Sequence, residues 1–407
     1  MQTRLAAPFI YTPEGQEADA ILRSCVHCGF CNATCPTYQL LGDELDGPRG
    51  RIYLIKQVFE GTPPGRASQL HMDRCLSCRA CETTCPSGVR YARLADLGRE
   101  RIEREAPRPW RERLLRWLLR RVLPEPSLFG PLWRLGQRLR PFLPAAFKSR
   151  LPAPQDIPVR PSRTHARNLI VLEGCVQPFA TPSTNAACAR VLDRLGIGLI
   201  SPANPRCCGA VRHHLAASAE ALDDMRANID RWWPLLESGA EGILINASAC
   251  ALMVKEYGHL LRHDPEYAQK AARVSALARD PAEVLVAEDL SAWSGIGQGR
   301  RLAFHSPCTL QHGQRLDGVV EAILRHLGFE LTAVKNAHLC CGSAGTYSIL
   351  QLELATTLRR HKLDALQADD PDLILTANAG CQLHLQAGTA KPVRHWIEII
   401  DAALNTH

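Results

Sequence analysis

The strongest constraint on this chain is a pair of cysteine runs with identical spacing. Both read C-x2-C-x2-C-x3-C-P, from Cys25 to Pro36 and again from Cys75 to Pro86. Three cysteines at such steps wrap a tight loop around one corner of an iron–sulfur cube, and the fourth, turned away by proline, reaches the neighbouring cube. The spacing therefore assigns one [4Fe–4S] cluster to Cys25, Cys28, Cys31 and Cys85, and a second to Cys75, Cys78, Cys81 and Cys35.

Disulfides and zinc sites are the alternatives for cysteines at this density. Zinc sites usually take two ligand pairs separated by a longer loop, and a third cysteine at the same step, followed by Cys-Pro, does not suit a tetrahedral ion. A chain of 407 residues that is 46% hydrophobic can build packed cores without disulfide staples. The 17 cysteines therefore indicate metal ligands in a reducing compartment.

The length of the chain and the way its hydrophobic pattern changes along the sequence predict a multidomain α+β protein. Residues 1–106 are expected to form a helical, ferredoxin-like domain with two [4Fe–4S] clusters, and residues 107–166 a basic, amphipathic and proline-rich linker. Nine prolines from Pro124 to Pro161 predict only short helical pieces there. Short apolar runs then alternate with helical patterns, which favours parallel sheets covered by helices. We place one α/β lobe at residues 167–290 and a second at residues 291–407.

The cysteines indicate that the two lobes are copies of one unit. Four cysteines lie at steps of 32, 1 and 42 residues in the first lobe and at steps of 32, 1 and 40 in the second, each with a Cys-Cys-Gly turn. We expect pseudo-twofold lobes whose turns meet at the interface. Four cysteines equal the number that binds one cube, so the interpretations are metal or redox chemistry, or a motif that keeps its shape without metal. The candidates are Cys175, Cys207, Cys208 and Cys250, with Cys308, Cys340, Cys341 and Cys381; Cys188 is expected to be a buried thiol.

The net charge of +7 is concentrated in one segment. Eleven Lys or Arg and two Glu lie between Arg108 and Arg150, a local net charge of +9. From Trp110 to Leu123, Trp and Leu alternate with Arg, as in helices that lie on an anionic membrane surface. Docking on an acidic partner, or on the protein's own surface, explains the pattern equally well. No recognised nucleic-acid-binding module accompanies the charge, so a nucleic-acid partner is not supported.

Targeting signals and carbon-chemistry motifs are not recognisable. Met1 to Gly15 contains two prolines and no apolar run of the kind that signal peptides have, and no stretch approaches roughly 18 consecutive apolar residues. We expect a cytoplasmic protein, peripheral on the inner face of the cell membrane. There is no dinucleotide fingerprint, phosphate loop or Ser-His-Asp arrangement, so no catalytic residue is assigned.

Five histidines near the lobe cysteines could tune or protonate a redox centre. Histidines scattered in this way are more often structural, and we expect that role for most of them. They are His213 and His214 in the first lobe, and His305, His312 and His338 in the second.

A two-cluster unit followed by two Cys-Cys-Gly lobes resembles the iron–sulfur subunits of anaerobic glycerol-3-phosphate dehydrogenase, lactate-utilisation enzymes and heterodisulfide reductase. Within that group the chain is most similar to the glycolate oxidase iron–sulfur subunit family. Four segments carry this likeness: Cys-Val-His-Cys-Gly-Phe-Cys at residues 25–31, Gly-Asp-Glu-Leu-Asp-Gly-Pro-Arg-Gly-Arg-Ile-Tyr-Leu-Ile-Lys-Gln at 42–57, His-Leu-Cys-Cys-Gly-Ser-Ala-Gly-Thr at 338–346 and Val-Arg-His-Trp-Ile-Glu at 393–398.

The resemblance implies a subunit of a membrane-associated glycolate dehydrogenase. Separate flavoprotein subunits would oxidise glycolate to glyoxylate, and the N-terminal clusters would carry the electrons toward a quinone-type acceptor. Heterodisulfide reductase-like lobes end in C-x-x-C, whereas here the earlier position holds Ala247 or Asn378. A five-cysteine cluster is therefore in doubt, and a four-cysteine cluster in each lobe, or none, stays open.

A rival interpretation is that the lobes act on a thiol or disulfide, which would make the chain a reductase subunit with its own chemistry. A third is an assembly module in which only the N-terminal clusters are redox-active. Thiol–disulfide turnover by the isolated protein would favour the rival.

Overall fold

The computed structural model describes residues 1–144, 148, 151–155, 159–297 and 299–406. The N-terminal unit consists of helices α1 (Pro13–Ser24), α2 (Pro36–Leu41), α3 (Pro48–Phe59), α4 (Arg66–Asp73), α5 (Ala80–Thr84) and α6 (Tyr91–Glu105). Short 3-10 turns at Phe9–Tyr11, Phe30–Thr34 and Glu44–Asp46 connect them. The predicted all-helical character of this unit is confirmed.

The core of the N-terminal unit lies between α1, α3 and α6. Thr12 starts α1 by accepting a hydrogen bond from the Gly15 amide, with Pro13 at the first helical position. Helices α3 and α6 approach closely at Gly98, where an added Cβ would lie 2.6 Å from Cγ1 of the buried Ile55. This core holds the two cysteine loops at one end of the helices, because several of their cysteines pack against it.

Two helices follow, α7 (Trp110–Val122) and α8 (Pro126–Leu139). Helix α8 corrects the expectation of short helical pieces, since it runs for 14 residues through Pro131. Tertiary packing outweighs the local effect of the proline: Phe129 contacts Phe179 of the first lobe at 5.9 Å between ring centroids, and Gly130 lies flush against the same ring. Among the described residues, no helix is long and apolar enough to cross a membrane.

The first lobe is built on a parallel sheet of strands β1 (Arg167–Leu172), β2 (Ile197–Ile200), β3 (Ile243–Ile245) and β4 (Ala278–Arg279), in the order β2-β1-β3-β4. The first three strands lie in the short apolar runs of the sequence at residues 168–172, 197–200 and 242–246. The covering helices are α9 (Gln177–Ala180), α10 (Pro182–Arg194), α11 (Ala210–His214), α12 (Ser218–Glu237), α13 (Ser248–Lys255), α14 (Tyr257–Leu260), α15 (Ala268–Leu277) and α16 (Pro281–Val286).

The second lobe repeats this order. Strands β5 (Arg301–His305), β6 (Glu330–Leu331), β7 (Leu373–Thr376) and β8 (Val393–His395) form a parallel sheet in the order β6-β5-β7-β8. Its helices are α17 (Val319–His326), α18 (Tyr347–Leu350), α19 (Leu352–Leu366), α20 (Ala379–Gln386) and α21 (Trp396–Leu404). The duplicated α/β lobes, and with them the predicted fold class, are confirmed.

The lobes and the N-terminal unit contact one another through buried and charged pairs. A single apolar core runs across both lobes and includes Cys188, which is fully buried as expected. Arg190 pairs with Asp401 at 2.5 Å across the lobe interface. Arg79 of the N-terminal unit pairs with Glu256 of the first lobe at 2.6 Å, and Thr83 lies 3.0 Å from the His312 ring in the second.

Candidate metal centres

The first cysteine set surrounds one cavity in the N-terminal unit. Cys25, Cys28, Cys31 and Cys85 all line it, with Cys81 at its edge. The first cysteine loop turns sharply at Cys28, because His27 and Gly29 on either side of it have φ values of 57° and 86°. This turn brings the thiols of one run together, and the fourth cysteine of the other run joins them.

The second cysteine set surrounds a neighbouring cavity with the same loop geometry. Cys35, Cys75, Cys78 and Cys81 line it, so that Cys81 faces both cavities. Ser77 and Arg79 repeat the left-handed conformations of the first loop, with φ values of 52° and 62°. Arg79 adopts this conformation where the first loop has glycine, and its ion pair with Glu256 supports the strained backbone.

Buried cations lie against the second set. Arg51 is 1% exposed; it lies 3.9 Å from the Cys35 sulfur and donates to the His71 carbonyl at 2.7 Å. Arg99 donates to the Cys75 carbonyl at 2.8 Å, and the Tyr91 hydroxyl donates to the Cys75 sulfur at 3.5 Å. Burial alone would disfavour the Cys75 thiolate, but these neighbours lower its pKa below the usual range. The neighbouring cations therefore favour negative charge on Cys75.

The other thiols of the two sets lie close enough to raise one another's pKa. Burial, and then the nearby Cys25 and Cys28, raise the pKa of Cys31 to about 11. Burial and neighbouring thiols likewise raise the pKa of Cys78 and Cys81. Four thiolates this close repel one another unless metal ions lie between them, so both cavities fit thiolate-bound iron–sulfur clusters.

The first-lobe cysteines form a row of thiols that is buried at Cys175, Cys207 and Cys208 and half-buried at Cys250. The Cys175 and Cys207 sulfurs are 3.6 Å apart, and the Cys208 thiol is within hydrogen-bonding reach of Cys207 and Cys250. Tyr257 donates to the Cys208 carbonyl at 2.9 Å, which fixes the turn. Hydrogen bonding between thiols, together with burial, raises the pKa of Cys175 well above its usual range.

The second-lobe cysteines repeat the row and lie against the N-terminal unit. The Cys308 and Cys340 sulfurs are 3.9 Å apart, and the Cys341 thiol is within hydrogen-bonding reach of Cys340 and Cys381. Cys308 and Cys340 share one apolar cluster with Leu76, and Cys78 of the second set packs against it. The second-lobe row is thus the direct neighbour of an N-terminal cysteine set.

Each Cys-Cys-Gly turn requires its glycine. Gly209 and Gly342 have φ values of 88° and 89°, which other residues rarely adopt. An added Cβ on Gly342 would lie 2.7 Å from the Ala355 carbonyl oxygen, and one on Gly209 would lie 3.1 Å from that of Ala221. The two turns therefore press against helices α12 and α19 in the same way.

A central cavity of about 180 Å³ lies where the three units meet. Cys75 and Arg79 of the N-terminal unit, His214 of the first lobe, and Cys308 and Tyr347 of the second lobe are among its lining residues. Residues that follow both Cys-Cys-Gly turns also line it. The turns thus face a common space that the N-terminal unit shares, which corrects the simpler expectation of an interface between the lobes alone.

The structure divides the five histidines by role. His213 pairs with Asp96 of α6 at 3.1 Å, and the His312 ring bridges Thr83 and the His338 carbonyl at 3.0 and 2.9 Å. The side chains of His213 and His312 therefore connect the lobes to the N-terminal unit, whereas His338 takes part through its backbone carbonyl. His214 faces the central cavity, whereas His305 is buried beside Cys341 and Cys381.

The cations around the thiols are not recognisable from the sequence. Arg51, Arg99 and Lys362 are spread over helices α3, α6 and α19, so no motif spacing connects them to the cysteines. Lys362 is 3% exposed and donates to the Asn336 and Ala337 carbonyls. Burial lowers its pKa, and the four second-lobe thiols act against that shift. Arg51 lies in the resemblance segment 42–57, which was the one available signal.

Comparison with protein families agrees with this division of the chain. The family model for a 4Fe-4S dicluster domain matches residues 21–89, and the model for a cysteine-rich domain matches twice, at residues 170–255 and 302–386. The dicluster match supports iron–sulfur clusters in the N-terminal unit, and the double match agrees with the duplication.

Curated relatives and a solved structure extend the comparison to the whole chain. The glycolate oxidase iron-sulfur subunit of Escherichia coli (strain K12) is 54% identical over 405 residues, 99% of each chain. The probable glycolate oxidase iron-sulfur subunit of Bacillus subtilis (strain 168) is 28% identical over 90% of this chain and 89% of its own. Lactate utilization protein A of Geobacillus kaustophilus is 30% identical over 56% of this chain and 96% of its own. A hypothetical protein from Helicobacter pylori has a similar fold, with a TM-score of 0.57, 10% identity, and coverage of 98% of this chain and 73% of its own.

Proposed function

Because this chain belongs to the glycolate oxidase iron–sulfur subunit family, we propose that it is the electron-transfer subunit of a glycolate dehydrogenase complex. In this proposal a partner flavoprotein oxidises glycolate to glyoxylate, and this chain passes the electrons singly toward a quinone-type acceptor. The family name itself supports a subunit of an oxidoreductase complex. The flavoprotein partner, the acceptor and the direction of transfer are the proposal.

The observation that carries the proposal is the adjacency of the two cysteine sets. Cys25, Cys28, Cys31 and Cys85 would hold one [4Fe–4S] cluster, and Cys75, Cys78, Cys81 and Cys35 the other. Such clusters supply one-electron carriage when bound. The chain's own contribution is to keep the two sites side by side, since Cys81 lines both cavities, and to hold Arg51 and Arg99 against the second.

The test is reconstitution with the flavoprotein partners. Co-purification followed by glycolate-dependent dye reduction should require the full complex, and Cys78→Ser should abolish electron delivery. The matched control is Cys188→Ala, which removes a buried thiol far from both sets. Because a flavin in the partner takes the hydride, we expect no glycolate oxidation by the purified subunit stripped of flavoprotein; turnover by that preparation would contradict the proposal.

The rival function, reduction of a thiol or disulfide, depends on the lobe thiols. The second-lobe row next to Cys78 and the cavity beside it are the observations in its favour. Turnover of a disulfide by the isolated protein, lost in Cys340→Ser and retained in Cys188→Ala, would support this function instead of pure electron transfer.

We also propose that helices α7 and α8 dock the complex on an anionic membrane surface, where electrons would leave toward quinone. The chain's own surface covers part of both helices: Arg116 pairs with Asp73 at 2.8 Å, and the Arg120 carbonyl accepts from Arg212. The opposite face is apolar and open. Its exposed side chains are Trp110, Leu114, Leu115, Trp117, Leu118, Leu128, Leu132, Leu135, Leu139 and Phe142.

The positive charge around the apolar face of α7 and α8 is the reason to propose an anionic lipid surface as its partner. Exposed arginines flank the apolar face at Arg111, Arg113, Arg121, Arg134 and Arg138. Each contributes about 1 kcal/mol of attraction to an anionic bilayer, less as salt screens it. Replacing Arg113, Arg121, Arg134 and Arg138 by Glu should release the protein from anionic vesicles, whereas replacement by Lys should not. Loss of the flavoprotein with vesicle binding intact would identify a subunit contact instead.

A further inference from the structure

His305 is a buried imidazole at the last position of strand β5. Its side chain is 2% exposed, and among the residues that the structure describes neither Nδ1 nor Nε2 has a hydrogen-bond partner. A neutral imidazole carries one donor and one acceptor, and burying both unpaired costs free energy that a bound ligand would recover. An unpaired histidine in a well-packed core therefore indicates that something binds there.

The thiols beside His305 identify the kind of ligand. One ring nitrogen of His305 and the sulfurs of Cys341 and Cys381 all lie within 4.8 Å of one another, with the remaining two thiols of the row alongside. Nitrogen and sulfur donors at this spacing bind zinc or iron, not the hard cations. Five candidate donors exceed the four that tetrahedral zinc accepts, and the row adjoins Cys78 of the N-terminal set. Both facts favour iron.

We propose that His305 is a nitrogen ligand of an iron–sulfur centre held by the second-lobe thiols. Its donors are His305 with Cys308, Cys340, Cys341 and Cys381. Asn378 occupies the position at which related lobes carry a further cysteine, and it donates to the Cys381 sulfur at 3.5 Å. The imidazole at the end of β5 would supply the donor that this position lacks. The hydroxyl of Thr376, the residue paired with His305 across β5 and β7, is also buried and has no hydrogen-bond partner within the described part of the chain.

The first lobe differs from the second at the positions equivalent to His305 and Lys362. Leu172 ends β1 three residues before Cys175, as His305 ends β5 three residues before Cys308. Ala221 and Ala355 are equivalent positions, because each lies against the glycine of its own Cys-Cys-Gly turn. Seven residues after them, the first lobe has Asn228 and the second has Lys362. The second lobe thus has an extra nitrogen donor, and a buried lysine where the first lobe has asparagine. The proposed nitrogen-ligated centre belongs to the second lobe alone.

The test uses the full chain, purified anaerobically and labelled with ¹⁵N only at histidine. We expect iron in excess of the eight atoms of two N-terminal cubes, and a ¹⁵N hyperfine coupling from a directly bound histidine. His305→Phe, which keeps the volume of the side chain, should lose the excess iron and the coupling while the N-terminal clusters remain. His305→Cys should keep the iron and lose the coupling.

Leu172→Ala at the equivalent strand end is the matched control and should change neither. His27 lines the first N-terminal cavity, so the difference between wild type and His305→Phe is the quantity to compare. Zinc in place of the excess iron, no excess metal in the wild type, or an unchanged coupling in His305→Phe would each overturn the proposal. None of these outcomes depends on glycolate oxidation, so the proposed function is tested separately.

Discussion

Arg51→Met removes the positive charge closest to the second cysteine set and should lower the reduction potential of the cluster bound there. The guanidinium lies 3.9 Å from the Cys35 sulfur. Adding a metal–sulfur bond of about 2.3 Å places the charge about 6 Å from the nearest metal. At an effective dielectric constant of about 20, the charge stabilises one added electron by about 2.7 kcal/mol. This corresponds to about 0.1 V for a one-electron couple.

The same substitution also has a structural cost, which has to be separated from the electrostatic one. Arg51 donates to Asp46 and Thr37, both buried. In the variant, Asp46 still has its contacts with Arg74 at 2.7 Å and with His71 at 3.0 Å. The free energy of unfolding should therefore fall by only about 2–3 kcal/mol. Arg51→Lys retains the charge and is therefore the matched control.

The assay is a redox titration of the full chain followed by electron paramagnetic resonance. One of the two N-terminal signals should move to lower potential by about 0.1 V in Arg51→Met, while the other changes much less, and Arg51→Lys should remain near wild type. An unchanged or raised potential with both clusters retained would refute the electrostatic reasoning.

Three further predictions follow from single contacts. Cys35→Ser should damage the cluster bound by the second cysteine run; damage to the cluster bound by Cys25 would show that the fourth cysteines are not exchanged. Burial disfavours protonation of His213, but the Asp96 carboxylate outweighs burial and raises the His213 pKa. The charged His213 therefore stabilises the fold fully below about pH 6.5, and this stabilisation is lost as the pH rises through the raised pKa. Urea midpoints of wild type should therefore fall more steeply above that pH than those of His213→Gln. Gly342→Ala should cost about 1–3 kcal/mol in urea unfolding, whereas Gly345→Ala, with φ 61° and open space, should cost less.

The sequence alone determined the features that depend on local spacing. The C-x2-C-x2-C-x3-C-P runs predicted the dicluster unit because three ligands of each cube follow one another within one loop, and the fourth cysteine of each run serves the neighbouring cube. The two Cys-Cys-Gly copies and the alternation of apolar runs predicted duplicated lobes with parallel sheets, because period and repeat are properties of the chain itself.

The tertiary structure decided what depends on residues that are distant in the sequence. Arg51, Arg99 and Lys362 lie beside thiols only because helix packing brings them there, and no local pattern encodes that packing. Packing against Phe179 likewise preserves helix α8 through Pro131, where proline content predicted a break.

The difference between the two lobes also appears only in the folded chain. In the sequence, the cysteines of both lobes look equivalent, since their spacing is nearly the same. In the structure, the second row shares an apolar cluster with Leu76 and Cys78. The neighbouring end of β5 carries a histidine whose ring nitrogens have no hydrogen-bond partner among the described residues. Spacing along the chain determines which cysteines can form a row, whereas the surrounding donors and charges are set by the elements that pack around it.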